Sequence, residues 1–330
     1  MRFPPIDPEI RERVRRLELP FNRFGFDPYG ISQEHLAQFF TTLAWFYRGY
    51  FKVQAFGVEH VPARGRGMLI GNHSGGVAID GAMVLASIFL EKEPPRLAQG
   101  MAEKFLGKMP FSSEWTLRLG QLTGLPEHAT RLLHDDRLLM VFPEGARGTA
   151  KLFKERHSLV RFGTGFMRLA LETKSPIIPF AFIGGGEVMP TIFNAYRLGR
   201  LLGVPYVPIT PYLLPVPRPE PCEIYYGPPM CFRGNGAEDD HVIEGYVDEV
   251  KARVAALIEL GVARRKAGDR SSRVDWSAFG APSGAHYVSL SREDGAGEDG
   301  EARRGERTAR TARPRAGSGA RRAAAARGAR

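Results

Sequence analysis

The chain has 330 residues, enough for about two domains by length alone, and it carries 46 Lys and Arg against 36 Asp and Glu, a net charge of +10. Residues 301–330 hold ten Arg and two Glu and account for +8, which leaves +2 for residues 1–300. A body this close to neutral argues against a nucleic-acid-binding protein. The two cysteines, Cys222 and Cys231, exclude a disulfide scaffold and the common Cys-rich zinc sites, and they fit a reducing cytoplasm.

The first fifty residues divide into two parts. Residues 1–31 are rich in Pro, Gly and charge, lack the apolar segment of a secretory signal, and predict a poorly ordered lead-in. Ser32 is a candidate N-cap for a helix over residues 33–51. This helix has more aromatic residues than an ordinary one-faced helix. It either packs against a sheet or lies in a membrane interface.

Between residues 51 and 187, short apolar runs alternate with helical patterns. The strands are predicted at Phe51–Phe56, Met68–Gly71, Leu97–Met101, Leu138–Phe142 and Ile177–Ile183, with helices between them at Ile79–Leu90, Ser113–Leu119, Glu127–His134 and Gly165–Glu172. This alternation predicts an α/β fold with a mixed, partly parallel sheet flanked by helices.

The C-terminal third contains one further strand, one long helix and two atypical segments. Glu223–Tyr226 predicts a strand and Asp239–Leu260 an amphipathic helix. Leu201–Pro217 is apolar but contains five Pro, which excludes a transmembrane helix and predicts an irregular apolar surface segment. Residues 263–330 are dominated by Arg, Gly, Ala and Ser and predict a disordered basic tail. One folded domain, residues 32–262, follows.

The first candidate motif is GNHSGGVAID, residues 71–80, directly after a predicted strand. His73 is a side chain suited to accept a proton near neutral pH, and a carboxylate such as Asp80 can fix its tautomer. Gly75 and Gly76 let the backbone approach a ligand closely. A structural His–Asp hydrogen bond is the alternative.

The second candidate motif is LLMVFPEGARGTAK, residues 138–151, where another predicted strand enters a Pro-Glu-Gly turn. The turn offers backbone amides and a cationic pocket with Arg147 to a phosphate group, and Glu144 would help to shape this site. Lys151 and Lys154 add unspecific attraction or are solvated surface residues, and Glu144 is alternatively a solvated ion-pair partner. Ligands of α/β proteins bind beyond the carboxyl ends of such strands, where both motifs are expected.

Together the motifs resemble those of the glycerolipid (lysophospholipid) acyltransferase family. The matching blocks are Asn72-His73…Asp80, Phe142-Pro143-Glu144-Gly145 and Pro176-Ile177-Ile178-Pro179, within residues 45–230. The family usually has four residues between His and Asp, whereas this chain has six. Its His-Ser-Gly-Gly form resembles a subset related to neutral-lipid acyltransferases.

The resemblance implies acyl transfer in phospholipid or other lipid metabolism, from acyl-CoA or acyl carrier protein to a glycerolipid hydroxyl. His73 is then the general base and Asp80 its orienting carboxylate. Substrate contacts are expected from Gly75, Gly76, Glu144, Gly145 and Arg147, with no metal and no cofactor. The acceptor is lysophosphatidic acid or a neutral mono- or diacylglycerol; a non-catalytic lipid-binding relative is the alternative. We further expect a cytoplasmic protein, peripheral at the inner face of the membrane through residues 33–51 and 201–217, with no specific nucleic-acid partner.

Overall fold

A computed structural model of the chain describes residues 5–74, 79–102, 112–123, 126–269, 271–279 and 286–288. All of them belong to one compact unit, Met1–Leu290. The α-helices are α1 (Pro8–Arg15), α2 (Gln33–Trp45), α3 (Ile79–Glu91), α4 (Ser112–Arg118), α5 (Pro126–His134), α6 (Ala146–Thr149), α7 (Gly165–Thr173), α8 (Gly185–Val188), α9 (Tyr196–Leu202) and α10 (Asp240–Lys266). The strands are β1 (Gln54–Phe56), β2 (Gly67–Gly71), β3 (Ala98–Ala102), β4 (Leu122–Thr123), β5 (Leu138–Val141), β6 (Ile177–Ile183), β7 (Phe193–Ala195), β8 (Val207–Ile209), β9 (Glu223–Tyr226), β10 (Met230–Phe232) and β11 (His286–Val288).

The main sheet is mixed and mostly parallel, as the alternation of patterns predicts. Its strands follow the order β1-β9-β6-β2-β5-β3-β4. The five strands from β6 to β4 are parallel to one another, whereas β9 is antiparallel to β6 and parallel to β1. β10 joins β6 and β11 at the side, and β7 pairs with β8 in a separate antiparallel ribbon. The carboxyl ends of β2, β5 and β6 therefore meet at one edge of the sheet.

Helices cover both faces of this sheet. Helices α1, α2 and α3 bury apolar residues in one core, and α5, α7 and the first half of α10 contribute to the other. Side chains alternate between the two faces along β6, so that Ile178 and Phe180 pack in the first core and Ile177 packs in the second. In the first core, the Phe40 and Phe89 rings stack at 3.9 Å. Strands buried on both faces explain why their sequences are continuous apolar runs.

The predicted poorly ordered lead-in, residues 1–31, is wrong for its described part. Asp7 caps α1 by accepting a hydrogen bond from the Glu9 amide at 2.8 Å. Ile10 and Val14, four residues apart on one helix face, are buried. The buried Arg13 donates from Nε to the Phe89 carbonyl at 2.9 Å. Because residues 1–31 are rich in Pro and charge, their overall composition does not indicate this short apolar stripe.

The predicted boundary at residue 263 is also wrong. Helix α10 continues to Lys266, and residues 271–279 pack back onto the body. Phe279 is buried, and Trp276 meets the His60 ring edge-on at 4.9 Å. Phe279 and Trp276 supply apolar contact area that cannot be recognised from the average composition of residues 263–330. Residues 291–330 of the predicted tail lie outside the described residues.

The two segments expected at a membrane differ in burial. Helix α2 buries Leu36 and Phe40 against the body and continues into a π-helical turn at Phe46–Tyr50, but Trp45 stays 60% exposed. The segment Leu201–Pro217 is exposed over most of its length, as predicted for an apolar surface segment. The prediction that it is irregular is wrong for part of it, because it contains the end of α9 and the strand β8, which pairs with β7. The residues 189–218, which lie between α8 and β9 and contain β7, α9 and β8, are called the insert because they separate two strands of the main sheet, β6 and β9.

Candidate active site

The site begins at Asn72, the first residue after β2. Its Nδ2 donates to the Phe182 carbonyl at 3.1 Å, and the Phe182 amide donates to its Oδ1 at 2.8 Å. An amide side chain can imitate a strand peptide in this way, because it carries both donors and an acceptor. The exchange ties the end of β2 to β6 and fixes the start of the turn that carries His73.

His73 and Asp80 are in contact despite the six residues between them. The His73 Nδ1 lies 3.0 Å from the Asp80 Oδ2, and both side chains are almost fully buried. The same carboxylate oxygen accepts the Ser74 amide at 2.9 Å, and Oδ1 accepts the Gly81 amide at 2.7 Å. Asp80 sits in the first turn of α3, where a negative charge is favourable.

These contacts lower the pKa of Asp80 and determine the tautomer of His73. Burial alone favours the neutral acid, but the His73 ring and the Ser74 and Gly81 amides together lower the pKa of Asp80 below its ordinary value. A carboxylate at Oδ2 places the ring proton of His73 on Nδ1, so Nε2 carries the lone pair. No hydrogen bond joins Nε2 to any other described residue. Within the described part of the chain, the arrangement leaves one basic nitrogen unengaged.

Glu144 and Lys151 hold the backbone of His73. The Glu144 Oε1 accepts the His73 amide at 3.1 Å, and Oε2 accepts the Val160 amide at 3.1 Å. Lys151 Nζ lies 2.5 Å from Glu144 Oε2 and donates to the His73 carbonyl at 2.7 Å. Burial lowers the pKa of Lys151, and the Glu144 carboxylate offsets part of this decrease. The ion pair therefore binds both the backbone amide and the backbone carbonyl of His73.

The ring of His73 is fixed by packing as well. Phe142, the residue after β5, stacks on it with centroids 3.9 Å apart and planes 11° apart. A Cβ added to Gly148 would lie 2.8 Å from the Cβ atoms of both His73 and Glu144, so only glycine fits there. Stacking and close backbone approach confine the imidazole to one plane.

Two further predicted site residues, Gly145 and Arg147, lie in the turn after β5. Gly145 has φ 56° and ψ −152°, a conformation that is essentially restricted to glycine. Its amide donates to the Phe142 carbonyl at 3.0 Å and is therefore engaged within the turn. Arg147 is exposed on α6, with no hydrogen bond or ion pair to another described residue. Gly75 and Gly76 lie outside the described residues.

Two expectations for this turn need correction. Glu144 is neither a solvated ion-pair partner nor open to a ligand, because its side chain is buried and both oxygens are occupied. Lys151 is buried and not a surface cation. Sequence reasoning missed its position because the segment after α6 has no periodic pattern.

Comparisons with known proteins identify the family of the chain. The family model described as Acyltransferase matches residues 52–183, which include both motifs. An uncharacterized protein of Mycobacterium tuberculosis is 33% identical over 268 residues, which cover 78% of this chain and 73% of the relative. The chain belongs to the acyltransferase family. A Mycobacterium leprae relative is 31% identical over 268 residues, covering 78% of this chain and 71% of its own.

More distant similarities were also found for this acyltransferase. The human protein named "DGAT1/2-independent enzyme synthesizing storage lipids" is 28% identical over 154 residues, 44% of this chain and 46% of its own. Among solved structures, the 1-acyl-sn-glycerophosphate (LPA) acyltransferase PlsC from Thermotoga maritima matches with a TM-score of 0.48 and 16% identity. This match covers 72% of this chain and 83% of that one.

Among the described residues, no helix is both long and apolar enough to cross a bilayer. The same residues contain no group of three or more His, Cys, Asp or Glu side chains that could hold a metal ion.

Proposed function

We propose that this acyltransferase moves a fatty acyl group from an acyl thioester, acyl-CoA or acyl carrier protein, to a hydroxyl of a glycerolipid, with His73 as the general base. The proposal rests on the different surroundings of the two nitrogens of the His73 imidazole. Nδ1 is committed to Asp80 at 3.0 Å, while Nε2 has no partner among the described residues. A general base needs this combination of a fixed tautomer and a free lone pair.

The reaction follows from that geometry. Nε2 takes the proton of the acceptor hydroxyl as its oxygen attacks the thioester carbonyl carbon. The imidazolium that forms is stabilised by the Asp80 carboxylate. The tetrahedral intermediate then collapses, the carbon–sulfur bond breaks, and the leaving thiolate takes the proton from Nε2. The acyl group passes directly to the acceptor, so the mechanism uses no serine or cysteine nucleophile.

Backbone amides are the natural donors for the oxyanion of the intermediate. The Gly145 amide is used within its own turn at 3.0 Å. The amides of Gly75 and Gly76, next to His73 in sequence, therefore stay the proposed donors. Glu144 and Lys151 are proposed as positioning residues, because they contact the backbone of His73.

The acceptor is proposed to carry a phosphate, as in lysophosphatidic acid. Arg147 supports this choice, because it is exposed, unpaired among the described residues, and three residues from Glu144. A guanidinium can bind two phosphate oxygens at once. A neutral acceptor such as mono- or diacylglycerol is the second candidate. It is favoured by the His-Ser-Gly-Gly sequence and by the human relative, whose name refers to storage lipids. Both acceptors are membrane lipids, so we propose a peripheral enzyme at the cytoplasmic face.

The proposal is tested by mass spectrometry of the products that purified enzyme forms from acyl-CoA and a mixture of lysophosphatidic acid, mono- and diacylglycerol. His73→Ala should lower turnover by roughly 10²–10⁴-fold, the usual contribution of a general base. His241→Ala, which removes an exposed histidine on α10, is the control and should retain activity. Near-normal turnover by folded His73→Ala protein would refute the mechanism.

The same assay separates the acceptors. Arg147→Ala should weaken binding of lysophosphatidic acid by roughly 1.5–3 kcal/mol, the range for a hydrogen bond to a charged group, and spare monoacylglycerol. Arg147→Lys should recover only part of the loss. Arg161→Ala removes another exposed arginine and serves as the control. An equal loss on both acceptors would show that Arg147 does not bind the phosphate.

A further inference from the structure

The insert, residues 189–218, concentrates exposed apolar side chains in one part of the surface. Leu201 is 82% exposed and Leu213 is 74% exposed. Ile192, Phe193, Leu202 and Leu214 are each more than half exposed as well. Folded proteins rarely leave this many large apolar side chains in water unless the surface binds something.

The charge of the insert is one-sided. Residues 188–219 contain no Asp or Glu, and the basic residues in this range are Arg197, Arg200 and Arg218. Arg197 and Arg200 are exposed on α9, the helix that also carries Leu201. The exposed Tyr196 and Tyr212 add rings that combine an apolar body with a polar hydroxyl. Apolar, aromatic and basic side chains without acidic ones complement an anionic lipid surface.

The exposed end of α2 adjoins this surface. The Tyr50 hydroxyl donates to the Pro217 carbonyl at 2.8 Å. The Tyr50 ring lies 5.7 Å from that of Trp45, which is largely exposed. An exposed indole close to one end of an apolar surface segment is typical of residues that lie at the headgroup level of a bilayer.

We propose that the insert, together with Trp45, is a docking surface for a bilayer that contains anionic lipids. The leucines and aromatic rings enter the boundary between headgroups and acyl chains, and Arg197 and Arg200 face the lipid phosphates. Docking requires neither an acyl donor nor acyl transfer.

The insert is also tied to the turn of the candidate site. Asn194 Nδ2 donates to the Ala150 carbonyl at 2.6 Å, and the Phe153 amide donates to the Thr191 carbonyl at 2.8 Å. These contacts flank Lys151, which holds the His73 backbone. If the proposed function holds, a lipid acceptor reaches His73 from the bilayer to which the insert is docked.

The test is flotation of the full chain with vesicles of phosphatidylcholine alone or of an equal mixture of phosphatidylcholine and phosphatidylglycerol. The apolar variant is Leu201→Gln/Leu213→Gln, and the charge variant is Arg197→Gln/Arg200→Gln. Phe24→Gln is the matched control, because Phe24 is 70% exposed but lies outside the insert. The assay contains no substrate, so its outcome is independent of whether the chain transfers acyl groups.

The apolar variant should bind both kinds of vesicle at least about tenfold more weakly, because each leucine loses its burial in the bilayer. The charge variant should lose about fivefold per arginine on the mixed vesicles alone, and high salt should abolish that difference. Phe24→Gln should bind as the wild type does. Unchanged flotation of the apolar variant, or no flotation of the wild type, would overturn the proposal. Light scattering that shows a wild-type dimer and a monomeric apolar variant would assign the surface to self-association and would overturn it too.

Discussion

Replacing Lys151 with methionine tests the buried ion pair behind His73. Methionine keeps the apolar length of the side chain but removes the charge that lies 2.5 Å from Glu144 Oε2. Glu144 retains the His73 and Val160 amides, both at 3.1 Å, but its carboxylate stays buried without a cation. The His73 carbonyl loses its donor at 2.7 Å. Removing one partner of a buried pair typically costs about 3–5 kcal/mol of unfolding free energy, and we expect a loss in this range.

The assay is urea unfolding of the full chain, followed by tryptophan fluorescence. The double variant Lys151→Met/Glu144→Gln should be more stable than Lys151→Met alone, because a neutral amide can still accept the His73 N–H without an uncompensated charge. Arg161→Met removes an exposed partner of Glu244 and should change stability by less than about 1 kcal/mol. A Lys151→Met protein as stable as the Arg161→Met control would refute the role given to the pair.

Two further predictions concern stability. Because the pKa of Asp80 is lowered in the folded chain, its carboxylate stabilises the fold above the ordinary aspartate pKa of about 3.9, and this contribution is lost as the pH falls through the lowered value. The difference in unfolding free energy between wild type and Asp80→Asn should therefore shrink in acid, and a constant difference between pH 3 and 6 in urea titrations would contradict this. A chain that ends at residue 269 should lose at least about 1.5–3 kcal/mol relative to one that ends at residue 290, because it lacks the buried Phe279; equal midpoints of urea unfolding would show that residues 271–279 do not stabilise the body.

The strands that build the site were predictable because each is a short apolar run bounded by turn residues. Ile177–Ile183 and Glu223–Tyr226 have the predicted bounds, and β2 and β5 differ from theirs by one residue at one end. Runs of this kind are typical of strands buried on both faces. Once β2 and β5 lie parallel in one sheet, the residues that follow them must meet at the same edge. This explains why the sequence could place His73 close to Glu144.

The elements that were missed depend on contacts between residues far apart in the chain. Helix α1 is held by the hydrogen bonds of Arg13 to the end of α3, 76 or more residues away. Helix α9 exposes most of its apolar side chains, so it has no buried stripe from which a helix could be predicted. Lys151 is buried because Glu144 and the His73 carbonyl converge on it. Neither the end of α3 nor the His73 carbonyl, 78 residues from Lys151, is visible in the local sequence.

The longer spacing between His73 and Asp80 has a physical explanation in how the two residues are held. Each has its own support: Asp80 lies in the first turn of α3, where it accepts the Gly81 amide, and His73 is held by Asn72, Glu144 and Lys151 around the end of β2. The Ser74 amide, next to His73, joins the two by donating to Asp80. The chain between them therefore does not have to set the distance between the imidazole and the carboxylate. Two additional residues can be accommodated in that connection while the contact stays at 3.0 Å. A site whose geometry is set by the sheet edge and a helix terminus tolerates changes in loop length, because loop closure costs little free energy compared with the buried hydrogen bonds that fix the two ends.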